Sequence, residues 1–126
     1  MKGIIATNNL GFIGLNGKLP WISKEDLKHF KQLTMGGKLL VGYTTAQKLP
    51  KLPGREIIID DETKNVNYGE IGWCCGGKYT YEKFCHLFTE LHISIIDDNT
   101  IGDTLFPELK NLNPDCKIFT YNFKKD

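Results

Sequence analysis

The stretch LPWISKEDLKHF at 19–30 holds an acid, Asp26, whose spacing from its neighbours allows two kinds of chemistry. Ser23 stands three positions before it, just ahead of an apolar run, which is the spacing of a capping box that starts a helix. On a wheel of about 100° per residue, Asp26 shares an arc with Leu27, Phe30, Leu33 and Thr34, while Glu25, Lys28, His29 and Gln32 take the other arc. A carboxylate inside an apolar stripe is partly desolvated, so its pKa rises and stability falls unless a donor compensates. Such a group invites a functional role. The first helical turn also suits an acid on dipole grounds alone. Pattern leaves both readings open, and they draw on the same oxygens.

The elements that would hold Asp26 follow from periodicity. GIIA at 3–6 reads as a strand, and NNLGFIGLNGKLP, rich in Gly and Asn, as a long mobile loop ending at Pro20. A helix over 24–35 follows, stopped by Gly36-Gly37, and then a buried strand, LLVGY, at 39–43. TTAQKL is a short helical stretch before the KLPGR turn. REIIID at 55–60 and IGWCC at 71–75 are strands, YTYEKFCHLFTE is a helix, and LHISIID is a fifth strand. KIFTYNF at 117–123 is a last strand, expected antiparallel, with a frayed end at 124–126. Strands alternating with helices predict a single α/β domain over 1–126, its largely parallel sheet covered on both faces. The connection 61–70 is too short for an ordinary parallel crossover, which predicts a loop or a small strand such as NVNY.

Composition narrows the function classes. A chain of 126 residues with 40% hydrophobic and 25% charged content reads as one soluble domain, and a net charge of +1 offers no field for nucleic acid or acidic lipid. No apolar run nears a membrane span and no signal-peptide pattern stands at the N-terminus, so the expected location is cytoplasmic. Cys74, Cys75, Cys85 and Cys116 lack C-x-x-C spacing, and adjacent cysteines in a strand face opposite ways, which predicts buried free thiols. His29, His86 and His92 lack metal-ligand spacing and read as solvated or satisfied; no metal is expected.

In order and spacing, GFIGLNGKLPW, DLKHFKQLT, a strand closing at Gly42, LPGR at 52–55, the glycine pair 76–77 before a Tyr-containing helix, and GDTLFPE at 102–108 resemble dihydrofolate reductase. The resemblance spans most of residues 3–108. It implies a mixed, mostly parallel central sheet flanked by helices with a shortened C-terminal part, in a short, truncated member that a phage or bacterium would carry. It also implies reduction of 7,8-dihydrofolate by hydride from NADPH, or less typically NADH. Asp26 would hold and polarise the pterin, with water carrying the proton to N5 and Trp21 beside it. Leu27 and Phe30 would flank the substrate rings, Ile5, Leu49 and Leu52 would add apolar walls, and Ser94 would lie near the pterin edge. Arg55 would pair with a carboxylate of the glutamate tail.

On the cofactor side, the resemblance makes Gly14 to Trp21, Leu19 included, a lid over the nicotinamide, met by the backbones of Ala6 and Ile13. Gly42, Tyr43, Thr44 and Thr45 would take the pyrophosphate, and Cys75, Gly76, Gly77, Lys78 and Tyr79 the nicotinamide-side phosphates. The chain departs from the family at the adenosine end. Tyr43 and Tyr79 stand where basic residues are common, and Asp60 and Asp61 replace small polar residues, a substitution that suits a ribose 2′-hydroxyl better than a 2′-phosphate. These departures also motivate a second reading, an inactive folate-binding, nucleotide-binding or structural relative within a larger assembly. A pared-down sheet with an open edge fits either a monomer or a homodimer.

Overall fold

In a computed structural model of the chain, in which residues 1–61 and 66–126 are described, six strands form one sheet. They are β1 (Lys2–Asn8), β3 (Lys38–Gly42), β4 (Glu56–Asp60), β5 (Trp73–Cys74), β6 (Glu90–Asp97) and β8 (Lys117–Lys124), in the order β4-β3-β5-β1-β6-β8. Every neighbouring pair is parallel. A second, antiparallel pair joins β2 (Phe12–Gly14) to β7 (Thr104–Leu105). The helices are α1 (Lys24–Thr34), α2 (Tyr43–Ala46) and α3 (Lys78–Phe84). No helix among the described residues is long and apolar enough to cross a membrane.

The period of two along each strand divides the core. Ile4, Leu39 and Trp73 face α1 and pack with Phe30, Leu33, Leu52, Ile57 and Cys75. Ile5, Leu40, Cys74 and Leu91 face α3 and pack with Tyr81, Phe84 and Phe88. The central strands are buried on both faces: Leu39, Leu40 and Val41 are fully inaccessible, as the continuous apolar run predicts. Cys74 and Cys75 fall on opposite faces as expected, and all four cysteines are free. Cys74 and Cys85 are buried, while Cys75 and Cys116 are half-buried. Burial pushes the Cys74 thiol up to about 12 and the Cys75 thiol well above its usual range, so both stay protonated.

The structure corrects several expectations. β8 is parallel to β6 along its whole length, from Glu90↔Lys117 to Asp97↔Lys124. Residues 98–116 exceed the dozen or so residues a parallel crossover requires, so they return the chain to the same end of the sheet. The helix expected over 79–90 ends at Phe84 and passes through a 3-10 turn, Cys85–Leu87, before β6. The loop after β1 is partly ordered by β2 and a Leu15↔Lys18 bridge. NVNY forms no strand over Val66–Tyr68; Tyr68 opens a 3-10 turn, and Asn65 lies outside the described residues.

Candidate active site

The site is built where β1 and β6 run side by side under the start of α1. In register, Ala6 lies beside Ser94 and Ile4 beside His92, so these residues face α1. Ser23 is the N-cap of α1: its hydroxyl accepts the Asp26 amide at 3.3 Å and donates to the Lys124 carbonyl at 2.7 Å. The cap therefore acts through the Asp26 backbone, which resolves the competition for oxygens posed by the sequence. The Asp26 carboxylate is free to meet Ser94. Asp26 is 6% exposed and Ser94 3%. Burial raises the Asp26 carboxyl above its ordinary range, while the Ser94 hydrogen bond and the nearby His29 pull it down.

Around this pair the predicted substrate residues separate into three groups. Phe30 and Leu52 pack in the α1-side cluster, and Leu27 projects outward at 53% exposure, an apolar side chain available to a ligand. Trp21 is buried and its indole Nε1 has no hydrogen-bond partner among the described residues, a donor available to a ligand. Arg55 reaches the far end of α1, where Nε donates to the Pro53 carbonyl at 3.2 Å, Nη1 to Thr34 Oγ1 at 3.5 Å, and the guanidinium lies 5.8 Å from the Phe30 ring. Ile5 packs in the α3-side cluster and Ile4 in the α1-side cluster, because adjacent strand residues point to opposite faces. Leu49 is half-buried and stands apart from the side chains packed in that cluster.

On the adjacent side, the ends of β3 and β5 meet closely. Gly42 N donates to the Gly76 carbonyl at 2.8 Å, and the Gly76–Gly77 peptide is cis. A Cβ on Gly42 would stand 2.6 Å from Thr80 Oγ1 and one on Gly77 2.8 Å from Thr45 Oγ1, so only glycine permits this approach. Thr44 is exposed, Lys78 half-buried, and Tyr43 and Tyr79 are 58% and 84% exposed. Ile13 is half-buried against the α3-side core, Leu19 is 45% exposed, and Gly14 pairs through β2 with Thr104. Asp60 is engaged elsewhere: Lys83 Nζ reaches it at 3.0 Å and the Tyr68 hydroxyl at 3.4 Å. Asp60 thus carries both a cation and a hydroxyl partner, and Asp61 is half-buried.

Several functional contacts escaped sequence reasoning. The Tyr81 hydroxyl donates to the Ile4 carbonyl at 2.6 Å and its ring lies against Gly76, tying β1 to the glycine turn. Its position four residues after Gly77 on a helix was the available signal. His92, expected to be satisfied, is buried between Glu90 (2.8 Å) and Tyr121 (2.9 Å). The His29 ring lies 4.2 Å from that of Tyr121, and its Nε2 is buried with no partner among the described residues. Asp103 bonds the Asn16 amide at 2.9 Å, and β2–β7 pairing joins GDTLFP to the loop ahead of α1. No cluster of metal-ligating side chains occurs among the described residues.

A buried acid and a close glycine approach on a parallel sheet flanked by helices are the arrangement of an α/β ligand-binding domain. Residues 1–72 match the family model described as dihydrofolate reductase. The chain is 30% identical to the dihydrofolate reductase of Buchnera aphidicola subsp. Schizaphis graminum, covering 94% of this chain and 83% of that one. It is 32% identical to dihydrofolate reductase type 9 of Escherichia coli, covering 80% and 72%. A solved dihydrofolate reductase from Enterococcus faecalis, complexed with NADP(H) and RAB-propyl, matches with a TM-score of 0.72 at 27% identity, covering 86% of this chain and 77% of that one. The chain belongs to the dihydrofolate reductase family.

Proposed function

We propose that the chain reduces 7,8-dihydrofolate to tetrahydrofolate with Asp26 as the substrate-orienting acid. The observation that carries this reading is a carboxylate 6% exposed, aimed at Ser94 and left unused by the helix cap. A buried anion is retained against its desolvation when a ligand supplies donors, and the amino-pyrimidine edge of a pterin supplies them. Ser94 fixes the carboxylate orientation, and Leu27 and Phe30 flank the rings. The unpaired Trp21 indole N–H donates to a polar atom of the bound substrate or its water. Arg55, already braced by Pro53 and Thr34, presents its remaining guanidinium edge to a carboxylate of the glutamate tail. The acid polarises the ring toward protonation at N5, and solvent brings that proton.

The residues present fit a nicotinamide dinucleotide. The side-chain-free approach of Gly42, Gly76 and Gly77, with Thr45 beside it, suits phosphate oxygens and backbone contact. When bound, the reduced nicotinamide supplies the hydride. Segment 14–21 then excludes water from the site. The retained Asp26, Trp21 and Arg55 favour an active enzyme over the inactive relative. NADPH is the proposed cofactor, with NADH the comparison set by Tyr43 and Tyr79, two uncharged residues at the expected adenosine end. Following nicotinamide absorbance with dihydrofolate and each cofactor in turn tests the reading; absence of turnover with both rejects it.

A further inference from the structure

Segment 9–21 leaves β1 and rejoins the fold at α1; residues 124–126 bond directly beside its α1 end and reach its β1 end through Asp98 and Asn8. At the α1 end, Asp126 N donates to the Ile22 carbonyl at 2.7 Å, and its carboxylate accepts the Lys24 amide at 3.2 Å. The Lys124 carbonyl accepts Ser23 Oγ, the same hydroxyl that caps the helix carrying Asp26. At the β1 end, Lys125 Nζ reaches Asp98 Oδ1 at 3.2 Å, and Asn8 Nδ2 donates to Asp98 Oδ2 at 3.2 Å. Asn8 Oδ1 in turn accepts the Leu10 and Phe12 amides at 3.1 and 3.0 Å.

Asp98 is 2% exposed. An anion at that depth persists only with compensating partners. Asn8 and Thr100 provide neutral donors, and Lys125 provides the cation. The Asn8 side chain that grips the start of the segment is therefore held by the Thr100 carbonyl, at 2.7 Å, and by the Asp98 carboxylate that Lys125 pairs with. One residue later, Asp126 grips the end of the segment. The middle is held separately, by Asp103 on the Asn16 amide and Lys48 on the Asn16 carbonyl.

We propose that Lys125 and Asp126 are positioning residues that fix the two hinges of segment 9–21 and so set how readily it orders over the site. This rests on the reading of residues 14–21, within that segment, as a lid. A lid moves by φ/ψ changes at a few residues at its ends. A shared tripeptide that bonds directly beside one end and reaches the other through Asp98 and Asn8 makes these changes dependent on one another and links them to the seat of Asp26. Loss of either contact releases one hinge while leaving the sheet register intact.

Hydrogen–deuterium exchange on the full chain tests this without reference to turnover. The variants are Lys125→Met and Asp126→Ala, with Lys110→Met as control, since among the described residues Lys110 pairs only with the exposed Glu108. Exchange over 10–18, where the Leu15 and Lys18 amides bond each other's carbonyls, is expected to quicken by about five- to tenfold in each variant, the loss of one charged hydrogen bond. β3 over 38–42 and the control should be unchanged. Unaltered exchange over 10–18 in either variant overturns the proposal, as does acceleration shared equally by β3, which marks global loosening. If dihydrofolate reduction itself were absent, the exchange result would still decide the hinge role. In an active enzyme, single-turnover hydride transfer slows in both variants and is unaffected in the control.

Discussion

Replacing Asp26 by asparagine changes one charge at nearly constant shape, and the structure gives its consequences opposite signs for activity and stability. In the proposed role the carboxylate would accept two donors from an amino-pyrimidine edge, each charge-assisted bond being worth about 1.5–3 kcal/mol. The amide retains one acceptor and presents N–H against N–H at the other. A loss of about 3–4 kcal/mol in transition-state binding corresponds to roughly 10²- to 10³-fold in kcat/KM. Stability moves the other way. Burial lifts the folded-state carboxyl above its ordinary 3.8, so the fold loses stability as pH rises from the unfolded to the folded value, and the deficit then stays constant. Asp26→Asn removes that deficit. Its stability relative to the parent is therefore equal in acid and increases through the folded carboxyl's titration. Urea unfolding across pH, alongside steady-state kinetics, measures both. Turnover within about fivefold of the parent, or a variant less stable at neutral than at acid pH relative to the parent, would refute the reasoning.

Three further outcomes follow from single contacts. Arg55→Lys loses the planar fork that Pro53 and Thr34 brace; KM for dihydrofolate should rise about tenfold, with no change for a reduced-affinity pterin lacking the glutamate tail. Gly102→Ala places a Cβ on the Gly14 carbonyl oxygen, so β2 must shift, and the Michaelis constant for the dinucleotide should rise while unfolding stability falls by about 1–3 kcal/mol. Tyr81→Phe removes the buried bond to the Ile4 carbonyl; denaturant unfolding should show a loss of about 1–2 kcal/mol.

Local pattern made the α1-centred half of the site legible. Apolar spacing set Asp26 between Phe30 and Leu33, and Asp26 is buried there. The α/β class followed from alternating strands and helices, and the opposite facing of Cys74 and Cys75 from the pleat. What pattern missed depends on contacts distant in sequence. The direction of β8 is set by how residues 98–116 travel across the sheet, which no periodicity encodes. Ile4 and Ile5 are chemically identical, so only the sheet's facing decides which of them meets α1. The pairing of Asp60 with Lys83, on a helix 23 positions away, is likewise a contact that local pattern does not encode. The capping and ligand roles near Asp26 competed on paper because sequence does not distinguish a residue's amide from its carboxylate.

The most direct measurement is a crystal structure of the chain with NADP and a pterin substrate bound. The account predicts the amino-pyrimidine edge within about 2.6–3.2 Å of the Asp26 carboxylate, the rings between Leu27 and Phe30, and the dinucleotide phosphates against Gly42, Gly76 and Gly77. A pterin seated away from Asp26, with that carboxylate bonded only to Ser94, would contradict it.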